Sequence, residues 1–163
     1  MLFRSIYEAA LNEYAPLGTE ASVTNTATVS GTGITPVTAA ETVNAEAAPN
    51  LAITKSVSPV PVTENGTLTY TFRIQNYGSV AATNTTGVVI TDTFAPILSN
   101  LTAALNGTAW TAATDYTYDE ATGTFSSTAG AITVPAATYT QDSTTGAWVV
   151  TPGESTLVIT GTV

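Results

Sequence analysis

The chain has 163 residues, a formal net charge of −9, three basic residues against twelve acidic ones, and neither cysteine nor histidine. That excludes a disulfide framework, thiolate or imidazole metal sites and the commonest general base, and three cations cannot neutralise a phosphate backbone, so nucleic acid and anionic membranes are poor partners. Threonine makes up about a fifth of the chain and charged residues 9%, against a usual level of about 25%; this is the composition of a half-exposed sheet surface and fits a long-lived extracellular protein.

Met1 to Tyr14 reads two ways, because Glu, Ala and Leu favour a helix while Tyr7, Ala9 and Leu11 alternate with Ile6, Glu8 and Ala10. The start is basic but lacks the apolar region of a secretory signal, and Leu2 to Ser5 is also what the end of a common sequencing adaptor encodes in one frame. The expectation is a piece of a longer precursor with Met1 to Ser5 possible as foreign residues. From Ser22 the pattern changes: Val23, Asn25, Ala27 and Val29 alternate with Ser22, Thr24, Thr26 and Thr28, which predicts a strand ended by Gly31 and Gly33. A weaker strand is expected over Thr38 to Ala47, and Ala48-Pro49 then interrupts pairing.

The central stretch, Asn50 to Phe94, carries the cleanest pattern. Leu68, Tyr70, Phe72 and Ile74 alternate with Thr67, Thr69, Thr71 and Arg73; Leu51, Ile53 and Val57 do the same before it, and Val88 and Ile90 after it. These are half-buried strands. Beyond them, Ile97 to Asn106 predicts a strand ended by the Asn106-Gly107 turn. Two hairpins follow, Tyr116 to Phe125 and Tyr139 to Trp148, with Gly123 and Gly146 supplying the positive φ of their loops. Thr156 to Val163 is a last strand, expected to lie at an unpaired edge. No apolar run approaches the roughly 20 residues needed to cross a bilayer, so no membrane span is expected.

Leu51-Ala-Ile-Thr-Lys55, the Asn76-Tyr-Gly78 turn and the Thr91-Asp-Thr93 strand end resemble the tandem module of bacterial surface proteins known as domain of unknown function eleven, with Lys55, Asn76, Gly78 and Asp92 at the matching positions. The resemblance covers about Asn50 to Val163. It implies an immunoglobulin-like antiparallel β-sandwich used as stalk or spacer. Such repeats close with a strand of the type found here at Val23-Thr-Asn-Thr-Ala-Thr-Val29, near the beginning. The expected organisation is therefore all-β, with residues 1–47 as closing strands of a preceding repeat or a strand-donating extension, and residues 48–163 as a repeat lacking its own closing strands. Each larger side chain on a missing strand would contribute about 1.5 to 3 kcal/mol on burial, a large share of a total stability of about 5 to 15 kcal/mol. Three arrangements answer this: further residues of a tandem array, an N-terminal segment folded back on its own sandwich, or donation of Thr19 to Ala47 to the next subunit.

Lys55 shares parity with Leu51, Ile53 and Val57, Asp92 with Val88 and Ile90, and Asn25 with Val23 and Ala27. An inward Lys, acid and Asn is the arrangement that forms Lys–Asn isopeptide crosslinks in surface proteins; the bland alternative is a snorkelling lysine and turn-capping Asp and Asn. Trp110, Tyr116, Tyr118, Tyr139 and Trp148 are candidates for an aromatic, sugar-stacking surface, or else core and cross-strand pairs. Asp115, Asp119, Glu120 and Asp142 lack EF-hand spacing, and adjacent Asp119 and Glu120 are poorly placed as a glycosidase pair. Asn65, Asn84, Asn100 and Asn106 each begin an Asn-x-Thr sequon, which so threonine-rich a chain produces by chance. No catalytic residue, metal or cofactor is assigned. The expected partners are neighbouring copies of the same or a similar module, with a glycan or host ligand as the adhesive alternative.

Overall fold

The computed structural model describes residues 22–44, 47–145 and 147–163. Met1 to Tyr14, the start of the Thr19–Ala47 segment and Gly146 lie outside the described residues, as do the readings made on them. Two compact units emerge: the described residues up to Ala48 together with Tyr139–Val149, and Pro49–Thr138 together with Val150–Val163.

The first unit contains an antiparallel ribbon of β1 (Ser22–Gly31) and β2 (Ile34–Asn44). Gly33 takes φ 79° in the turn, a conformation glycine adopts without steric cost. β2 starts four residues earlier than Thr38, because the tight turn at Thr32-Gly33 lets pairing begin at Gly31↔Ile34. The register places Asn25 opposite Glu41, Ala27 opposite Ala39 and Val29 opposite Val37, so these share one face; Thr24, Thr26 and Thr28 occupy the other, where the Thr24 and Thr42 hydroxyls lie 2.9 Å apart.

The second unit is an all-β antiparallel sandwich. Its larger layer holds five strands in the order β3 (Leu51–Ser58), β4 (Thr67–Asn76), β12 (Gly153–Thr162), β6 (Ser99–Leu105) and β7 (Thr108–Ala109). The smaller holds β5 (Thr91–Thr93), β9 (Thr124–Ser127) and β8 (Tyr116–Asp119), in that order. β10 (Thr138–Gln141) and β11 (Trp148–Thr151) form a separate two-stranded sheet. Alternation decides which side chains enter the core: Leu68, Tyr70, Phe72 and Ile74 of β4 and Leu157 and Ile159 of β12 are buried, while their threonine neighbours face outward. Phe94, Leu98, Tyr116 and Phe125 complete the core from the other side. The Tyr70 and Phe94 rings lie 4.7 Å apart, and Tyr116 stacks on Phe125 at 5.3 Å.

The last strand is not an edge. β12 pairs along its length with β4 and also with β6, which corrects the expectation of an open edge at Thr156 to Val163. Alternation identifies a half-buried strand but does not distinguish a central one from an edge. The chain end is held as well, since Val163 donates to the Gly66 carbonyl and its own carbonyl accepts from the Asn65 amide. The edges lie elsewhere: among the described residues, β3 and β7 end the larger layer and β5 and β8 the smaller, each with a ladder partner on one side alone.

Local chemistry fixes the connections. Asn106 and Gly107 both take positive φ, 51° and 81°, giving the two-residue hairpin loop between β6 and β7 that such a pair favours. Asp119 holds its turn by accepting from the Ala121 amide and the Thr122 hydroxyl, and Asp142 does so by accepting from the Thr144 and Thr145 amides. Gly123, at φ 74°, also lies against the Phe94 carbonyl.

Candidate functional site

Two strands of different layers bring the sequence-predicted pair together. Lys55 sits opposite Phe72 in the β3–β4 ladder, and Asp92 opposite Phe125 in the β5–β9 ladder. Because cross-strand partners share a face, and Phe72 and Phe125 are both buried, both side chains start on the inner faces of their layers. The Lys55 ammonium donates to Asp92 Oδ2. It lies 4.8, 5.5 and 5.3 Å from the ring centroids of Tyr70, Phe72 and Phe94, within reach of a favourable cation–π interaction. Its side chain keeps 40% of its exposure against 18% for Asp92, so the lysine reaches the ion pair from the open side of the sandwich.

That openness extends along β3. Leu51, Ile53 and Val57 share the inner face with Lys55, yet they remain 37%, 53% and 38% exposed. Among the described residues the smaller layer has three strands against five, and its edge strand β5 is the one that meets β3, through Asp92 and Lys55. Flanking β5, Ile90 and Phe94 bond towards β9 and the turn before it: the Ser127 amide donates to the Ile90 carbonyl, and the Phe94 amide donates to the Gly123 carbonyl. Antiparallel alternation therefore turns the backbone groups of Thr91 and Thr93 to the other edge. The Thr93 amide bonds to Asp92 Oδ1; the Thr91 groups and the Thr93 carbonyl face away from β9.

Asn25 stands opposite Glu41 on the β1–β2 ribbon, and both are exposed. Sequence reasoning overlooked Glu41. Counting back from the Gly31–Gly33 turn would have found it, because that turn sets the register.

The aromatic candidates divide. Trp110 is half-buried against the core and stacks on Tyr116 at 6.5 Å; Tyr116 is buried, and its desolvation raises the phenol above its ordinary range. The Tyr118 hydroxyl donates to the Leu98 carbonyl and accepts from the Leu98 amide. These three serve the sandwich itself. Leu101, Ala112, Tyr116, Tyr118 and Glu120 border a shallow depression of about 380 Å³. Tyr139 is half-buried and belongs to the other unit; the Trp148 side chain is outside the description.

The acidic residues serve turns. Asp115 accepts from the Thr111 amide. Bonds from the Ala121 amide and the Thr122 hydroxyl hold the Asp119 carboxyl below its ordinary range, and bonds from the Thr145 and Thr144 amides do the same for Asp142. Among the described residues no group of three or more acidic, His or Cys side chains is placed to hold a metal ion, and no helix is long and apolar enough to cross a membrane.

Asn76, one of the positions matching the surface-module pattern, is fully buried. Its Oδ1 accepts from the amides of Asn50 and Gly78, and its Nδ2 donates to the carbonyls of Val80 and Pro135. All four capacities of the amide are met, so this residue ties the start of β3 to two loops and acts structurally. No protein-family model matches the chain, and no curated protein or solved structure shows a significant match.

Proposed function

We propose that this chain is a non-enzymatic structural module of a long bacterial cell-surface or fibre protein, extracellular, and working as stalk or spacer. One observation carries the reading: a two-stranded ribbon with one apolar face precedes a sandwich in which, among the described residues, one layer has three strands and the other five. This is the pattern left when similar sandwiches follow one another and each completes its neighbour. The resemblance of Leu51 to Lys55, Asn76, Gly78 and Asp92 to the immunoglobulin-like surface repeat supports it. So does the outward face of the larger layer, carrying Thr67, Thr69, Thr71, Thr156, Thr160 and Thr162, which suits a long exposed surface.

The test is dimensional. Two copies of the chain joined in series are expected to give, by small-angle X-ray scattering, a rod longer than one copy by about one module. A compact particle no longer than a single copy would refute the stalk. The adhesive alternative draws on the depression beside Tyr116 and Tyr118. It is the weaker reading, because Trp110 stacks inward and the Tyr118 hydroxyl is engaged with Leu98.

A further inference from the structure

We propose that the open edge of β5 and the uncovered inner face of β3 form a docking groove whose occupant is the β1–β2 ribbon of a second copy of this module. The inference rests on the stalk reading and adds how its modules join.

Four features of groove and ribbon match. Among the described residues the smaller layer has two strands fewer than the larger, and the ribbon has two. Added at the edge of β5, they would extend that layer across β3, with sheet faces about 10 Å apart as in other sandwiches. The strands of the ribbon, 10 and 11 residues, are long enough to cover the 8 residues of β3. Its apolar face carries Ala27, Val29, Val37 and Ala39, with Val29 67% and Val37 65% exposed; a lone two-stranded ribbon of this kind is marginal in water, and the face needs cover as much as β3 does.

The polar residues match too. The groove has one cation on its apolar stripe, Lys55, between Ile53 and Val57. The ribbon has one acid on its apolar face, Glu41, beside Asn25. In a chain of net charge −9 an acidic partner is repelled by most of the surface, and Lys55, paired with Asp92 on one side and open on the other, is the cation that this face offers it. The pair would fix the register of docking, since a slip of one residue turns the apolar face of the ribbon outward. The Thr91 backbone and the Thr93 carbonyl offer the added strand its first hydrogen bonds. Donor and acceptor are different surfaces, so the contact is heterologous and propagates head to tail instead of closing into a dimer.

The test uses the full chain. Sedimentation velocity over a wide concentration range is expected to show growing oligomers. Glu41→Lys, outside the sandwich, and Ile53→Asp, on its exposed inner stripe, are each expected to weaken association about tenfold or more, the effect of losing a close charge pair or an apolar anchor. Chains carrying Lys55→Glu, mixed with chains carrying Glu41→Lys, are expected to associate more tightly than either does alone. The chain has no cysteine, so Ala39→Cys chains mixed with Ile53→Cys chains are expected to give a mixed dimer with a short bismaleimide. A monomer at every concentration overturns the proposal, as does association that both Glu41→Lys and Ile53→Asp leave unchanged. In a chain carrying both Ala39→Cys and Ile53→Cys, cross-linking of the two cysteines within one monomer also overturns it, by assigning the groove to the chain's own ribbon. None of these results alters the scattering test of the stalk, so failure of the groove and failure of the stalk are separable.

Discussion

Lys55 and Asp92 meet from opposite layers of the sandwich, and the two carry unequal burial: the lysine keeps 40% of its side-chain exposure and the aspartate 18%. Asp92→Asn leaves an ammonium that reaches water along its own stem. Lys55→Met leaves a largely buried carboxylate without its cation. Lys55→Met is therefore expected to destabilise by about 1 to 3 kcal/mol, the range for stranding a buried charged or polar group, and Asp92→Asn by less than about 1 kcal/mol, as for exposed pairs. Urea unfolding of the two variants checks the order; equal losses would show that burial does not decide the cost.

Asn76 is the polar centre of the β3–β4 end. Asn76→Ala removes four hydrogen bonds and leaves the partners buried, so a loss of about 3 kcal/mol or more is expected, from about 1 to 3 kcal/mol for an unsatisfied group. Asn76→Asp keeps the acceptor facing the Asn50 and Gly78 amides but aims its other carboxylate oxygen at the Val80 and Pro135 carbonyls. It is expected to cost more than Asn76→Ala at neutral pH and to recover part of that loss when the acid is protonated. Thermal unfolding at two pH values distinguishes the two.

Acid should weaken the fold in a defined direction. Glu154 is held below its ordinary range chiefly by hydrogen bonds from Arg73 and Gln75, and Asp119 and Asp142 by their turn bonds. Each folded-state value lies below the unfolded one, so their stabilisation is complete above the unfolded value. It is lost as pH falls from the ordinary carboxylate range through the lowered folded values. The midpoint of thermal unfolding is expected to be flat near neutrality and to drop below about pH 4. Arg73→Gln should reduce the part of this drop that comes from Glu154, and an unchanged acid limb in that variant would exclude the contribution.

Assembly through the groove is expected to be non-covalent. An ammonium held in an ion pair has no lone pair for attack, so oligomers should dissociate in SDS and the intact mass should equal that of the sequence. A Lys55–Asn25 crosslink would show otherwise: the Nζ–Cγ bond forms, the Asn25 Cγ–Nδ2 bond breaks, and one ammonia leaves per link, with Asp92 passing the proton. An SDS-resistant ladder with that mass loss would assign Lys55, Asp92 and Asn25 to an isopeptide site.

Period-two alternation made β1, β4 and β12 legible in the sequence, because one face of each is apolar and the other threonine-rich. Asn106-Gly107 and the Asp119 turn were legible because their chemistry is local. Position within a sheet was not, since β12 and β3 have similar patterns while long-range pairing sets one in the centre and the other at an edge. Leu51, Ile53 and Val57 read correctly as an inner face, but their exposure depends on strands of the opposite layer. Lys55 and Asp92 were found by parity; Glu41 was missed because its partner strand is defined by the turn. Trp110 and Tyr118 stayed open between a stacking surface and core packing, since composition cannot say which way a ring turns.

The position of β12 has a consequence for how the molecule is built. It is the last strand in the chain, yet it lies between β4 and β6, pairing residues such as Gly153 with Asn76 and Leu157 with Leu105. During synthesis, which adds roughly 5 to 20 residues per second, β4 and β6 emerge well before the strand that joins them, and the five-stranded layer cannot close until β12 itself has emerged. A sheet with so many distant pairings is expected to fold in the slow, millisecond-to-second range of all-β domains, and its unclosed strands form a period of exposure that a growing chain of such modules would meet at every repeat.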